Sequence, residues 1–230
     1  MLDRLLLSTA IVFATGTAVF AQGFSGAELG LEYTVAPDDD DLGGVRYYGS
    51  AEFDVAYGVS LAFDASAYDF TVGLSDVSNI TAHVIYNIDN ATAAGLFFGR
   101  DSANDQDGNT FGVEVAYDFG LGTVDGYLGR YNDDDLDDVS IYGAAATYDL
   151  QNGFAIAANF DGLSVDDRSR SQFEVGGFYQ LVQGPRFGAT IGRANLDDGV
   201  ADVSEMFFGV QASIAIGPNG GTTFGRRGIF

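Results

Sequence analysis

The sequence predicts an all-β chain, an antiparallel up-and-down transmembrane β-barrel of about twelve strands. Three observations carry this. The first is alternation: residues 111–119 set Phe111, Val113, Val115, Tyr117 and Phe119 against Gly112, Glu114, Ala116 and Asp118. A strand points successive side chains to opposite faces, so this stretch has one apolar face and one small or acidic face. The second is a period. Tyr86, Tyr117, Tyr148 and Tyr179 recur every 31 residues, each at the end of an alternating run beside a tight turn, and Tyr57 precedes the series by 29. A fixed period of this size is one repeated unit, here a β-hairpin. The third is punctuation. Short turns containing Gly or Asn alternate with longer stretches rich in Asp, which is the pattern of short periplasmic turns and longer acidic external loops.

Composition agrees. The chain has 230 residues and is 47% hydrophobic, yet beyond the N-terminal stretch nothing reaches the ~18 consecutive apolar residues of a membrane helix. There is no Cys, so no disulfide or thiolate metal site is available. All ten basic residues are Arg, and the net charge is −23. Such an acidic chain repels nucleic acid and attracts cations.

Taken in order, residues 1–21 read as a secretory signal, with Val19, Phe20 and Ala21 at the cleavage positions. Residues 22–216 hold the barrel. Residues 27–35 put Leu29, Leu31 and Tyr33 against Glu28 and Glu32. Residues 45–57 put Tyr47, Phe53 and Val55 against Arg46, Tyr48, Glu52 and Asp54, and Gly58 turns the chain. Residues 59–67 set Leu61 and Phe63 against Ser60 and Asp64. Residues 77–88 set Ile80, Val84 and Tyr86 against Asn79, Thr81 and His83. Residues 91–100 turn Leu96 and Phe98 outward on a weak alternation. The 111–119 strand follows, then residues 123–131, whose two faces the pattern does not separate. The eighth strand ends at Tyr148 and Asp149. The ninth sets Phe154, Ile156 and Phe160 against Asn159 and Asp161. The tenth sets Phe173, Val175 and Tyr179 against Glu174 and Phe178. Residues 186–194 and 203–216 complete the set, the last with Met206, Phe208, Val210 and Ile214 opposite Glu205 and Phe207. Loops are expected at 37–44, 68–76, 101–108, 132–138, 162–171 and 195–202.

A soluble barrel or sandwich would bury the apolar face. Carboxylates recurring on the polar face, tyrosines gathered at one end of the apolar face and a secretory signal with no other anchor favour the inverted arrangement. The expected pore lining is Glu28, Glu32, Arg46, Glu52, Asp54, Asp64, Glu114, Asp118, Asp149, Asp161, Glu174 and Glu205. Arg100, Arg130, Arg186 and Arg193 are expected inside with them. The aromatic girdle is assigned to Tyr57, Tyr86, Tyr117, Tyr148 and Tyr179. In a wet lumen such charged rings set ion selectivity, and the acid excess predicts cation preference. The competing arrangement is a lumen packed shut by salt bridges.

On these features the chain resembles a Gram-negative porin of the alphaproteobacterial kind. The resemblance covers the signal, the repeated hairpins and the terminal Phe230, and implies an outer-membrane channel for passive diffusion of small hydrophilic solutes. It further implies contact with outer-membrane lipid and lipopolysaccharide, handling by the barrel assembly machinery, and homo-oligomers; a C-terminal Phe is what that machinery reads. The alternative is a closed outer-membrane barrel serving as a structural or adhesive surface protein. The chain departs from general porins in its strand count, near twelve rather than about sixteen, in a short third loop, and in residues 217–230, G-P-N-G-G-T-T-F-G-R-R-G-I-F. This Gly-rich tail is expected to lie outside the barrel, with residues 206–216 closing it.

Neither a metal site nor a cofactor is expected. The Asp runs at 38–41 and 133–138 lack EF-hand spacing and read as solvated loop tips. His83, the single histidine, shares a face with Thr81 and lies within reach of Asp64, but no nucleophile motif accompanies it, so no catalytic residue is assigned.

Overall fold

The computed structural model describes residues 23–37, 43–70, 77–103, 106–133, 139–182, 184–199, 202–218, 221–225 and 227. The secretory signal, both long Asp runs apart from Asp133, and the terminal Phe230 lie outside them. The strands are β1 (Phe24–Val35), β2 (Gly44–Ala56), β3 (Val59–Phe70), β4 (Val77–Asn87), β5 (Thr92–Ala103), β6 (Gln106–Asp118), β7 (Gly122–Asp133), β8 (Val139–Gln151), β9 (Phe154–Val165), β10 (Arg168–Gln180), β11 (Arg186–Asp197) and β12 (Asp202–Ile216). Each pairs antiparallel with its sequence neighbours, and β1 pairs with β12, from Ala27 opposite Ile216 to Val35 opposite Phe208. The sheet is therefore a closed twelve-stranded barrel. Closure is what lipid demands, because an unpaired edge in hydrocarbon leaves backbone groups without partners.

The apolar face points outward. Leu29, Leu31, Ile80, Phe98, Val113, Leu128 and Val210 are all exposed, while Glu32, Glu52, Asp64 and Glu114 are buried inside. In a soluble protein this would be inverted; around a membrane barrel it is the lipid-facing band.

Several expected loops are shorter than the sequence suggested. Ser169 and Arg170 ladder with Ser164 and Leu163, and Asp101 and Ser102 with Gly108 and Asp107. These stretches read as loops because they are polar. Backbone pairing needs no apolar side chain, so the strands run on past the membrane thickness, which takes only ~9–11 residues. At the other rim, tight connections join the strands. In the 88–91 turn, Asp89 accepts the backbone N–H groups of Ala91 and Thr92 at 2.8 and 2.7 Å, which holds its carboxyl below the usual carboxylate range.

Past β12 the chain does not leave the barrel. Gly217, at φ +96°, and Gly221, at φ +148°, reverse it, conformations that a side chain would strain. Residues 222–224 and 227 lie in the lumen and pack on the β2–β7 wall. This corrects the expectation of a tail outside the barrel, while the closing strand is the expected one.

Candidate functional site

The site is the lumen, and the strand registers fix what reaches it. Cross-strand partners share a face, so the buried Glu32, Asp64, His83 and Glu114 identify the inward parity all the way round. The twelve residues named from the sequence, from Glu28 to Glu205, all fall on that parity. They are not equivalent. Asp118 and Asp149 sit at the short-turn rim, where they accept the backbone N–H groups of Gly120 and Gln151 at 2.6 and 2.7 Å. Asp54, also near that rim, accepts from the Ser60 hydroxyl at 2.7 Å.

Of the further arginines expected inside, only Arg186 is. Arg100 pairs across the ladder with Ile80 and Asn109, Arg130 with Phe111, and Arg193 with Phe173, which puts all three on the outward parity. They lie toward the loop rim, Arg100 bound to Asp107 at 2.5 Å. In sequence they follow apolar runs near predicted loops, where a residue can stand outside the hydrocarbon and still face outward.

The named tyrosines are all exposed. Tyr86, Tyr117, Tyr148 and Tyr179 point outward beside short turns, and Tyr57 is in the turn itself. Phe119 stacks on Tyr148 and Phe154 packs on Tyr179, with ring centroids 6.4 and 4.6 Å apart. A second outward aromatic row, toward the loop rim, includes Tyr33, Tyr47, Phe98, Phe111, Phe160 and Phe173. It escaped sequence reading because it does not share the period of 31.

The lumen has two unlike sectors. On the β2–β7 side it is filled. Phe224 packs with Ala62, Ile85, Ala93 and Ala116, and its ring stacks on His83 at 6.3 Å. Phe97, Tyr127, Tyr131, Val139 and Ile141 form a second apolar cluster. These inward apolar residues were not expected. The clue was the weak alternation of the fifth and seventh strands, where both faces mix apolar and polar residues.

The buried polar groups of this sector form one network. His83 Nε2 lies 2.6 Å from Asp64 Oδ2 and Nδ1 lies 2.8 Å from Glu114 Oε1. The other Glu114 oxygen accepts from Arg227 Nε at 3.0 Å, and Arg227 Nη2 donates to Asp125 at 2.6 Å. Thr223 N–H donates to Glu52 at 2.6 Å, and Asn79 and Thr81 both donate to the Arg227 carbonyl, at 3.2 and 3.0 Å. Asn79 lies eight positions from the short-turn end of β4, so the tail climbs roughly 26 Å along the wall at about 3.3 Å per residue.

Gly95 makes room for this plug. A Cβ there would stand 2.7 Å from Glu114 Oε1 and 2.9 Å from the Phe224 ring. Gly95→Ala is expected to cost about 1–3 kcal/mol through overpacking. A lowered urea midpoint for the folded, heat-modifiable gel band checks it, and an unchanged midpoint would mean that the tail is loosely seated.

The opposite sector, formed by β9–β12 and β1–β2, is more exposed. The side chains of Arg46 and Arg186 keep 29% and 36% of their exposure, whereas Asn79, Thr81, His83 and Phe97 keep 1% or less. Arg46 pairs with Glu32, and Arg186 lies 3.6 Å from Glu28 with its guanidinium 5.0 Å from the Phe178 ring. By parity, five carboxylates (Glu28, Glu32, Asp161, Glu174, Glu205) face four guanidiniums (Arg46, Arg168, Arg170, Arg186), an excess of one negative charge.

Known proteins share this architecture. A family model described as Gram-negative porin matches residues 13–168. No curated protein matches the sequence. Among solved structures, a KdgM porin in complex with disordered oligogalacturonate is similar at 10% identity and TM-score 0.60, over 81% of this chain and 97% of that one. The CymD monoaromatic hydrocarbon channel is similar at 9% identity and TM-score 0.57, over 89% and 92%. An anion-selective porin from Comamonas acidovorans follows at 9% identity and TM-score 0.51, over 83% and 98%. At such identities the likeness is one of fold.

Proposed function

The chain belongs to the Gram-negative porin family and resides in the outer membrane, and from that premise we propose that small hydrophilic solutes and ions cross it by passive diffusion, with a preference for cations. One observation carries the reading: the lumen keeps a charged sector along β9–β12 and β1–β2, with Arg46 and Arg186 still partly exposed, beside the sector that the tail fills. In a narrow polar path fixed charge selects the permeating ion, and the excess of carboxylates favours cations. The net charge of −23 raises the cation concentration at the mouths. In this reading the lumen-facing residues named above line the path, and the outward tyrosines anchor the barrel at the interfaces.

Catalysis is not part of the reading. Both ring nitrogens of His83 are taken by carboxylates, so neither is left to activate a nucleophile. The residues preceding the barrel serve as the secretory signal. Lipopolysaccharide, the barrel assembly machinery and further copies of the chain are its expected partners.

The packed tail favours a second reading, a closed barrel with a structural or adhesive role. Planar-bilayer recording under a salt gradient separates the two. Stepwise conductance with a cation-selective reversal potential is expected. Silence from inserted protein would favour the closed barrel.

A further inference from the structure

The tail's guanidinium occupies a site whose other parts are almost all wall. Arg227 Nε donates to Glu114 Oε2 at 3.0 Å and Nη2 to Asp125 Oδ1 at 2.6 Å. Its Cζ lies 4.6 Å from the Tyr127 ring centroid and 5.8 Å from that of Phe224. Two carboxylates meeting a planar fork, with an aromatic face beside it, suit a guanidinium better than an ammonium. The site is rigidly built. The Glu114 side chain is wholly buried and held from its other oxygen by His83, which Asp64 holds in turn.

The occupant, by contrast, is not part of the sheet and is held by side-chain contacts and a few backbone bonds. The described residues past β12 belong to no strand; they hold the wall through Thr222 and Thr223, the Phe224 ring, and the Arg227 carbonyl and guanidinium. What one guanidinium fills from a tether, another can fill from solution.

We propose that Glu114, Asp125 and Tyr127 form a guanidinium-binding site in the lumen, that the C-terminal segment occupies it in cis, and that a guanidinium-bearing solute competes for it and displaces the tail, widening the path. The widening of the path rests on the diffusion-channel reading above; the binding site does not. A short tether presents its ligand at an effective concentration in the millimolar range, so a free competitor works at about that concentration or above.

The test uses the full-length chain in detergent. Arg227→Ala empties the site and leaves every strand intact. Calorimetric titration of the folded variant with ethylguanidinium is expected to show saturable binding at least about tenfold tighter than ethylammonium, the loss of one charge-assisted hydrogen bond being worth that factor or more. Adding Asp125→Asn is expected to weaken it by about tenfold again. Equal binding of the two cations, or none, overturns the site.

Should Arg227→Ala not fold, the unsubstituted chain decides. Millimolar argininamide is expected to raise its unitary conductance where lysinamide does not, and identical responses overturn the proposal. If inserted wild-type and Arg227→Ala proteins are both silent, the channel reading fails, and the titration still decides the site.

Discussion

Glu114→Ala will destabilise the barrel more than any other single change in the lumen wall. Glu114 is the one carboxylate shared by His83 and Arg227, through Oε1 at 2.8 Å and Oε2 at 3.0 Å. Removing it leaves an imidazole nitrogen without its acceptor in a fully buried position and halves the partners of a guanidinium that is 5% exposed. Breaking a buried, hydrogen-bonded charge pair from one side costs about 3–5 kcal/mol, because the remaining charge stays desolvated. The urea midpoint of the folded band should fall accordingly. Arg227→Ala should cost less, since Glu114 keeps His83. The double variant should fall short of the summed losses by about 1–3 kcal/mol, the signature of contacting groups. Additive losses would show that the two residues act independently and that the tail is not fastened through Glu114.

The second large effect is on selectivity. Glu28 and Glu174 are two carboxylates of this sector whose neutralisation leaves the Arg46–Glu32 pair standing, at the loss of the Arg186–Glu28 contact. Glu28→Gln with Glu174→Gln brings its five carboxylates down to three against four guanidiniums and removes the acid excess. Cation preference should then vanish, the reversal potential under a salt gradient moving to near zero, with single-channel conductance changing far less. The effect should be largest at low salt, because at about 1 M the screening length shrinks to about 3 Å. A reversal potential that does not move would place the selective constriction elsewhere, and the tail's own charges would be the next to substitute.

The two expectations concern opposite halves of one lumen, and that division was not legible in the sequence. What was legible is periodic. Alternation fixed the faces of most strands, and the 31-residue recurrence of Tyr86, Tyr117, Tyr148 and Tyr179 fixed the hairpin unit. The acids opposite the apolar face fixed which side is wet. These signals are local, so a side chain's neighbours at two residues and at one hairpin suffice to read them. They failed where the local pattern is ambiguous. Phe97 and Tyr127 sit on strands whose two faces both mix apolar and polar residues, and Arg100, Arg130 and Arg193 stand beyond the apolar band, where polarity no longer reports direction.

By itself, then, the sequence determined a membrane barrel with an acidic interior, because a period of two and a repeat of one hairpin follow from backbone geometry alone. Only the tertiary structure decided that Phe224 stacks on His83 and that Arg227 lies between Glu114 and Asp125. Arg227 is 113 residues from Glu114 in sequence. No pattern within a strand or a hairpin can express a contact that exists only after the sheet has closed and the chain has turned back into it.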